Sequence, residues 1–132
     1  MNIPPLHILV VDDDPLVAAA VRLRLESAGH RASAAAGGQL GIDAFMAAPA
    51  QGDPFHVVMT DLSMPRVNGE QVAAAVKAAC PATIVIVLTG LDEPLRSEVG
   101  SRRNVDWVMS KPPTLEGIHL ALSQLLHPGA PS

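Results

Sequence analysis

The sequence predicts an α/β fold: a parallel five-stranded sheet with helices on both faces. Three observations carry this. Apolar runs recur at His7–Val11, His56–Asp61, Thr83–Thr89 and Val105–Met109, with a weaker run at His30–Ala36. The strong runs show no apolar–polar alternation, which is the pattern of strands covered on both faces. Between them lie segments with apolar residues at helical spacing, such as Val17, Val21, Leu25 and Ala28. Strands alternating with helices imply right-handed crossovers and a helix layer on each side of the sheet.

The totals fit. A chain of 132 residues can bury one full core. Hydrophobic residues make up 48%, too many for a disordered chain. Phe45, Phe55 and Trp107 supply all of the Phe, Trp and Tyr, so the core must be aliphatic and alanine-rich. The formal charge is −4 and no basic stripe is visible, which argues against direct nucleic-acid binding. The single Cys80 excludes an internal disulfide. The most hydrophobic run, Ile84–Leu88, is far too short for a membrane span. The N-terminus lacks the basic and apolar regions of a signal peptide. A soluble cytoplasmic protein without membrane contact is the expectation.

The elements follow in order. The first strand ends in Asp12, Asp13 and Asp14, and Pro15 suits the first position of a helix. Asp14 therefore reads as the N-cap and Gly29 as the helix stop. Gly37 and Gly38 end the weak second strand. Gln39 to Ala48 reads as a second helix with Ile42 and Phe45 facing the core, and Pro49 to Pro54 as a loop. The third strand ends in Asp61, and a turn with Asn68 and Gly69 follows. Glu70 to Ala79 reads as a third helix with Val72, Val76 and Ala79 on one face. Cys80 before Pro81 ends it. Cys80 reads as a small packed residue, since no base is placed to activate it. Gly90 permits a sharp exit from the fourth strand. Asp92 to Val99 reads as a short fourth helix, and Gly100 to Asn104 as loose. Thr114 reads as the cap of a last helix with Leu115, Ile118, Leu122 and Leu125 inward. Residues 1–127 are expected as one domain and 128–132 as a disordered tail. His7, His30, His56, His119 and His127 lack metal-ligand spacing and read as surface or packing residues.

Four strand ends carry polar groups: Asp12 and Asp13, Asp61, Thr89, and Lys111. In a parallel sheet these ends share one edge, where ligands of open α/β sheets gather. Two carboxylates about 4 Å apart repel by roughly 4 kcal/mol at an effective dielectric near 20. A divalent cation relieves this, and oxygen ligands favour Mg²⁺, Mn²⁺ or Ca²⁺. Mg²⁺ commonly binds a substrate phosphate as well. Lys111 and Thr89 can then meet a phosphoryl group, and a carboxylate can accept one as nucleophile.

At these residues the chain resembles the receiver domains of two-component response regulators, over about residues 7–127. The matching motifs are Val10-Val11-Asp12-Asp13-Asp14-Pro15, Met59-Thr60-Asp61-Leu62-Ser63-Met64-Pro65 with Gly69, Leu88-Thr89-Gly90, and Ser110-Lys111-Pro112. The resemblance implies a flavodoxin-like three-layer fold with strand order 2-1-3-4-5. It implies Asp61 as phosphoacceptor. It implies Asp12, Asp13, Asp61 and the Ser63 backbone carbonyl as ligands of Mg²⁺, with Mn²⁺ as an alternative. Thr89 resembles the switch hydroxyl and Lys111 its salt-bridge partner, with a cis Lys111–Pro112 peptide. The implied partners are a sensor histidine kinase or histidine phosphotransfer protein and a downstream protein target. The domain is implied to signal, with only weak self-phosphotransfer and autodephosphorylation of its own.

The chain departs from the family in places, and Glu98 to Asn104 has a poor helical pattern for a fourth helix. Val108 stands where an aromatic residue is usual, and alternation puts Trp107 on the opposite face. Output is therefore expected to run through the segment Leu91–Asn104. No output domain follows Leu126, so the chain reads as a stand-alone receiver or one cut from a larger protein. Three alternatives compete with this reading. A haloacid-dehalogenase-type phosphatase needs a second Asp where Ser63 stands. A flavodoxin-type flavin carrier needs a phosphate loop where three acids stand. A degenerate receiver would act as a phosphorylation-independent interaction module, against which the complete acid set argues.

Overall fold

The computed structural model describes residues 3–90 and 104–127. Its elements are β1 (His7–Val11), α1 (Pro15–Ser27), β2 (Arg31–Ala35), α2 (Gly38–Ala47), a 3-10 turn (Pro49–Gln51), β3 (Val57–Asp61), α3 (Gly69–Ala79), β4 (Ile84–Thr89), β5 (Trp107–Ser110) and α4 (Leu115–Leu126). The strands form one sheet in the order β2-β1-β3-β4-β5, and all neighbouring pairs are parallel. This is the expected fold and strand order. The expected helix over Asp92–Val99, the output segment up to Arg103 and the tail 128–132 lie outside the described residues.

Every residue of β1 and β3 is buried, as apolar runs without alternation require. Alternate side chains feed two cores. Leu9, Val11, Val58, Val85 and Val87 meet Phe45 of α2 and Val72, Ala73 and Val76 of α3. Ile8, Val10, Val57, Met59, Ile86 and Leu88 meet Val21 and Leu25 of α1 and Ile118, Ala121 and Leu122 of α4. Each such aliphatic side chain stabilises the fold by roughly 1.5–3 kcal/mol. Trp107 packs with the second core and Val108 with the first, on opposite faces as expected.

Several local expectations shift. In α1, Ala18 is buried with Val21 and Leu25, whereas Val17 and Ala28 are half-buried. In α3 the buried set is Val72, Ala73 and Val76, while Ala79 is exposed. Cys80 is exposed too, contrary to the packed role expected of it. It is the C-cap of α3, in extended conformation, and so lies beyond the face that the helix buries. Asn68 and Gly69 open α3 and do not form a free turn. Asn68 is the N-cap of a capping box, accepting from the Gln71 N–H and donating its own N–H to the Gln71 side chain. The Asp14 cap of α1 is as expected, with its carboxylate accepting from the Leu16 N–H at 3.0 Å.

Candidate functional site

The register puts the polar strand ends side by side. Val11 pairs with Thr60, Asp61 with Leu88, and Thr89 with Ser110. Asp12 and Asp13 therefore follow β1 beside Asp61, and Lys111 follows β5 beside Thr89. Carboxylate oxygens of Asp12, Asp13 and Asp61 all lie within 4.8 Å of one another. Asp12 is 2% exposed and Asp61 4%, whereas Asp13 is open to solvent. Asp12 Oδ1 accepts from the Asp14 N–H at 2.9 Å, which fixes the turn leaving β1.

Lys111 reaches into this cluster from the other side. Its Nζ stands 3.2 Å from Asp12 Oδ2 and 3.1 Å from Asp61 Oδ1. Burial pulls the ammonium down, but the Asp61 and Asp12 carboxylates outweigh it and hold Lys111 above its ordinary value of 10.5. Its loop is bracketed: the Lys111 N–H donates to the Thr89 carbonyl at 2.8 Å, and Arg24 of α1 donates to the Pro113 carbonyl at 2.6 Å. Pro112 and Pro113 carry no N–H, so the loop is held by the Lys111 N–H and by the outside donor Arg24. The Lys111–Pro112 peptide is cis. Sequence reading missed Arg24, because its partner lies 89 residues away.

Thr89 is fully buried, and its Oγ1 has no hydrogen-bond partner among the described residues. A buried hydroxyl without a partner costs about 1–3 kcal/mol, and such groups mark places where a ligand or a movement completes the bonding.

The β3–α3 loop forms the remaining wall. Met64 is buried in the core, and Leu62 packs against that core, which pins the loop on both sides of exposed Ser63. Gly69 sits against this wall: a Cβ there would collide with the Asp61 carbonyl oxygen and stand 2.9 Å from the Leu62 Cα. Only glycine lets α3 begin this close to the strand end. Arg66 has φ 68, with the Val67 N–H donating to the Pro65 carbonyl, a strained three-residue turn.

Three carboxylates meet one ammonium here, so among the described residues the cluster keeps a formal charge of 3 − 1 = 2 negative units. Hard oxygen donors with surplus negative charge suit Mg²⁺ chemically. The site thus offers clustered carboxylate oxygens of the kind that bind hard cations, an ammonium and a buried hydroxyl.

Comparison with known proteins agrees with this arrangement. The family model described as response regulator receiver domain matches residues 8–123. The chain is 27% identical over 132 residues to the transcriptional regulatory protein GlrR of Escherichia coli (strain K12), covering all of this chain and 29% of that protein. It is 30% identical over 122 residues to the probable transcriptional regulatory protein TcrX of Mycobacterium tuberculosis, covering 92% of this chain and 50% of that one. The chain thus spans half or less of these two relatives. Among solved structures, a response regulator receiver domain protein from Clostridium thermocellum superposes with a TM-score of 0.80 at 24% identity, covering 92% of this chain and 94% of the other. The response regulator TrrA of Thermotoga maritima, in complex with Mg²⁺ and BeF, gives 0.75 at 24% identity, covering 90% and 97%. These likenesses carry the fold.

Proposed function

The chain belongs to the response regulator receiver domain family of two-component signalling, and from that premise we propose that Asp61 accepts a phosphoryl group in a reaction that requires Mg²⁺. The observation that supports this most is the surplus of carboxylate at the strand ends, two of the three groups buried, with Lys111 touching both Asp12 and Asp61. Asp12, Asp13, Asp61 and the Ser63 carbonyl would hold the cation. When bound, it would neutralise charge on the phosphoryl oxygens. An Asp61 carboxylate oxygen would attack phosphorus while the bond to the donor's leaving atom breaks, giving an acyl phosphate. Lys111 would follow the new negative charge as a point cation, and Thr89 would turn its unmatched hydroxyl toward a phosphoryl oxygen. Positioning and charge neutralisation do most of the work in such a transfer.

The donor would be a sensor histidine kinase or a histidine phosphotransfer protein, and the output a protein partner. GlrR and TcrX are named as transcriptional regulators, so a transcriptional output through a segment beyond this chain is one form that partner could take. Residues 1–127 would be the receiver unit. The domain would signal and not turn over a substrate of its own.

The test is chemical. With acetyl phosphate and Mg²⁺, intact-mass measurement should show one added phosphoryl group, stable in acid and labile in base. Asp61→Asn should take up none. Wild-type labelling of Asp61→Asn would remove the assignment.

A further inference from the structure

Away from the carboxylates, two histidines face each other between the α1–β2 junction and α4. His30 Nε2 and His119 Nε2 are 3.1 Å apart, and His30 Nδ1 accepts from the Leu6 N–H, also at 3.1 Å. His30 is 5% exposed, just after the α1 stop and before β2, while His119 is in the second turn of α4. We propose that this pair is a proton-operated latch joining the start of β1 and the α1–β2 junction to α4, closed while the nitrogen–nitrogen contact holds a single proton.

The protonation pattern follows from the contacts. Because His30 Nδ1 accepts from Leu6, its neutral ring carries hydrogen on Nε2 and donates it to His119 Nε2. A second proton breaks one of the two bonds wherever it lands. On His119 Nε2 it sets two N–H groups head to head. Moving the His30 hydrogen to Nδ1 relieves that clash but opposes the Leu6 N–H instead. The ring centroids are 5.3 Å apart, exceeding the nitrogen separation by nearly the reach of both rings. The two Nε2 atoms therefore point along one line. A chelated metal ion needs lone pairs that converge on a third point, so the geometry suits a proton and not an ion.

Charged neighbours do not take over the pair. On α1, Arg22 is paired with Glu26, and Arg24 with the Pro113 carbonyl. Arg31, next in sequence, is paired with Asp53, and His7 of β1 faces the Pro54 carbonyl and Asp53. On α4, Glu116 one turn before His119 is exposed, and so is His127 after the helix. Burial first and the charge of His119 second push the His30 imidazole below its ordinary value of 6.5. A base lowered in this way contributes its full stability above its ordinary value and loses it as pH falls below that value. The latch thus opens on mild acidification, in the range where histidine acts as a switch. It stands on its own contacts and does not depend on the phosphoryl reading.

The test compares wild type with the double variant His30→Asn/His119→Gln, in which side-chain amides replace both imidazoles. As pH falls from about 7.5 to about 5.5, the wild-type Leu6 amide resonance should shift and α4 amides should exchange faster. The wild-type melting temperature should fall by about 3–6 °C more than that of the variant. Equal pH dependence in the two proteins would overturn the latch. So would a wild-type titration in which the imidazoles protonate while the Leu6 amide and α4 exchange stay fixed, a result readable even if the variant fails to fold.

Discussion

The two edges of the sheet are both rich in charge, and they handle it differently. Where the strands begin, charges are matched. Lys77 Nζ lies 2.7 Å from Asp106 Oδ2 and donates to the carbonyls of Thr83 and Pro81, while the same Asp106 oxygen accepts from the Val85 N–H. Arg31 meets Asp53 at 2.6 Å. Where the strands end, three carboxylates share one ammonium. Backbone strain divides in a similar way. Near the first edge, positive φ falls on Gly29, Gly52 and Asn104, residue types that tolerate it, whereas the second edge also puts it on Arg66. Balanced charge on relaxed backbone marks the first edge, and surplus negative charge beside a strained turn marks the second.

Removing one lysine from each edge should separate the two. Lys111→Ala should have the larger effect. It leaves Asp12 and Asp61 buried without their ammonium, costing about 2–4 kcal/mol in denaturant unfolding without Mg²⁺. Saturating Mg²⁺ should restore most of that loss, because the ion replaces the missing charge. Lys77→Ala should cost about 1–2 kcal/mol, since its carbonyl and Asp106 partners are only partly open to water. Mg²⁺ should recover none of it. Equal responses of the two variants to Mg²⁺ would erase the distinction between the edges.

Smaller effects sharpen the same contrast. Arg66→Gly should raise stability by about 1 kcal/mol, because glycine adopts the positive φ without strain and the Arg66 side chain is exposed. A loss of stability would mean that the turn is not strained. Arg31→Ala, at an exposed pair, should leave the melting temperature where it was.

Much of this was legible in the sequence, for physical reasons. β1, β3 and β4 were readable because strands buried on both faces must be apolar throughout. The site was readable because a parallel sheet puts all carboxyl-terminal strand ends on one edge, so Asp12, Asp61, Thr89 and Lys111 could be assembled without coordinates. What failed was local or long-range. β5 begins at Trp107, not Val105, because the Asp106 side chain takes the Val85 N–H and the ladder starts after it. Asn68 and Gln71 carry a capping-box pattern that competed with the turn reading of Asn-Gly. The Arg24–Pro113 and His30–His119 contacts each span 89 residues and leave no trace in spacing or periodicity.

We propose that the surplus carboxylate at the strand ends is a cation site. The decisive experiment is calorimetric titration of Mg²⁺ into wild type, Asp13→Ala and Lys111→Ala. One Mg²⁺ should bind the wild type, with weaker binding in Asp13→Ala and equal or tighter binding in Lys111→Ala, where a competing ammonium is gone. Absence of Mg²⁺ binding by the wild type, or weaker binding after loss of Lys111, would contradict it.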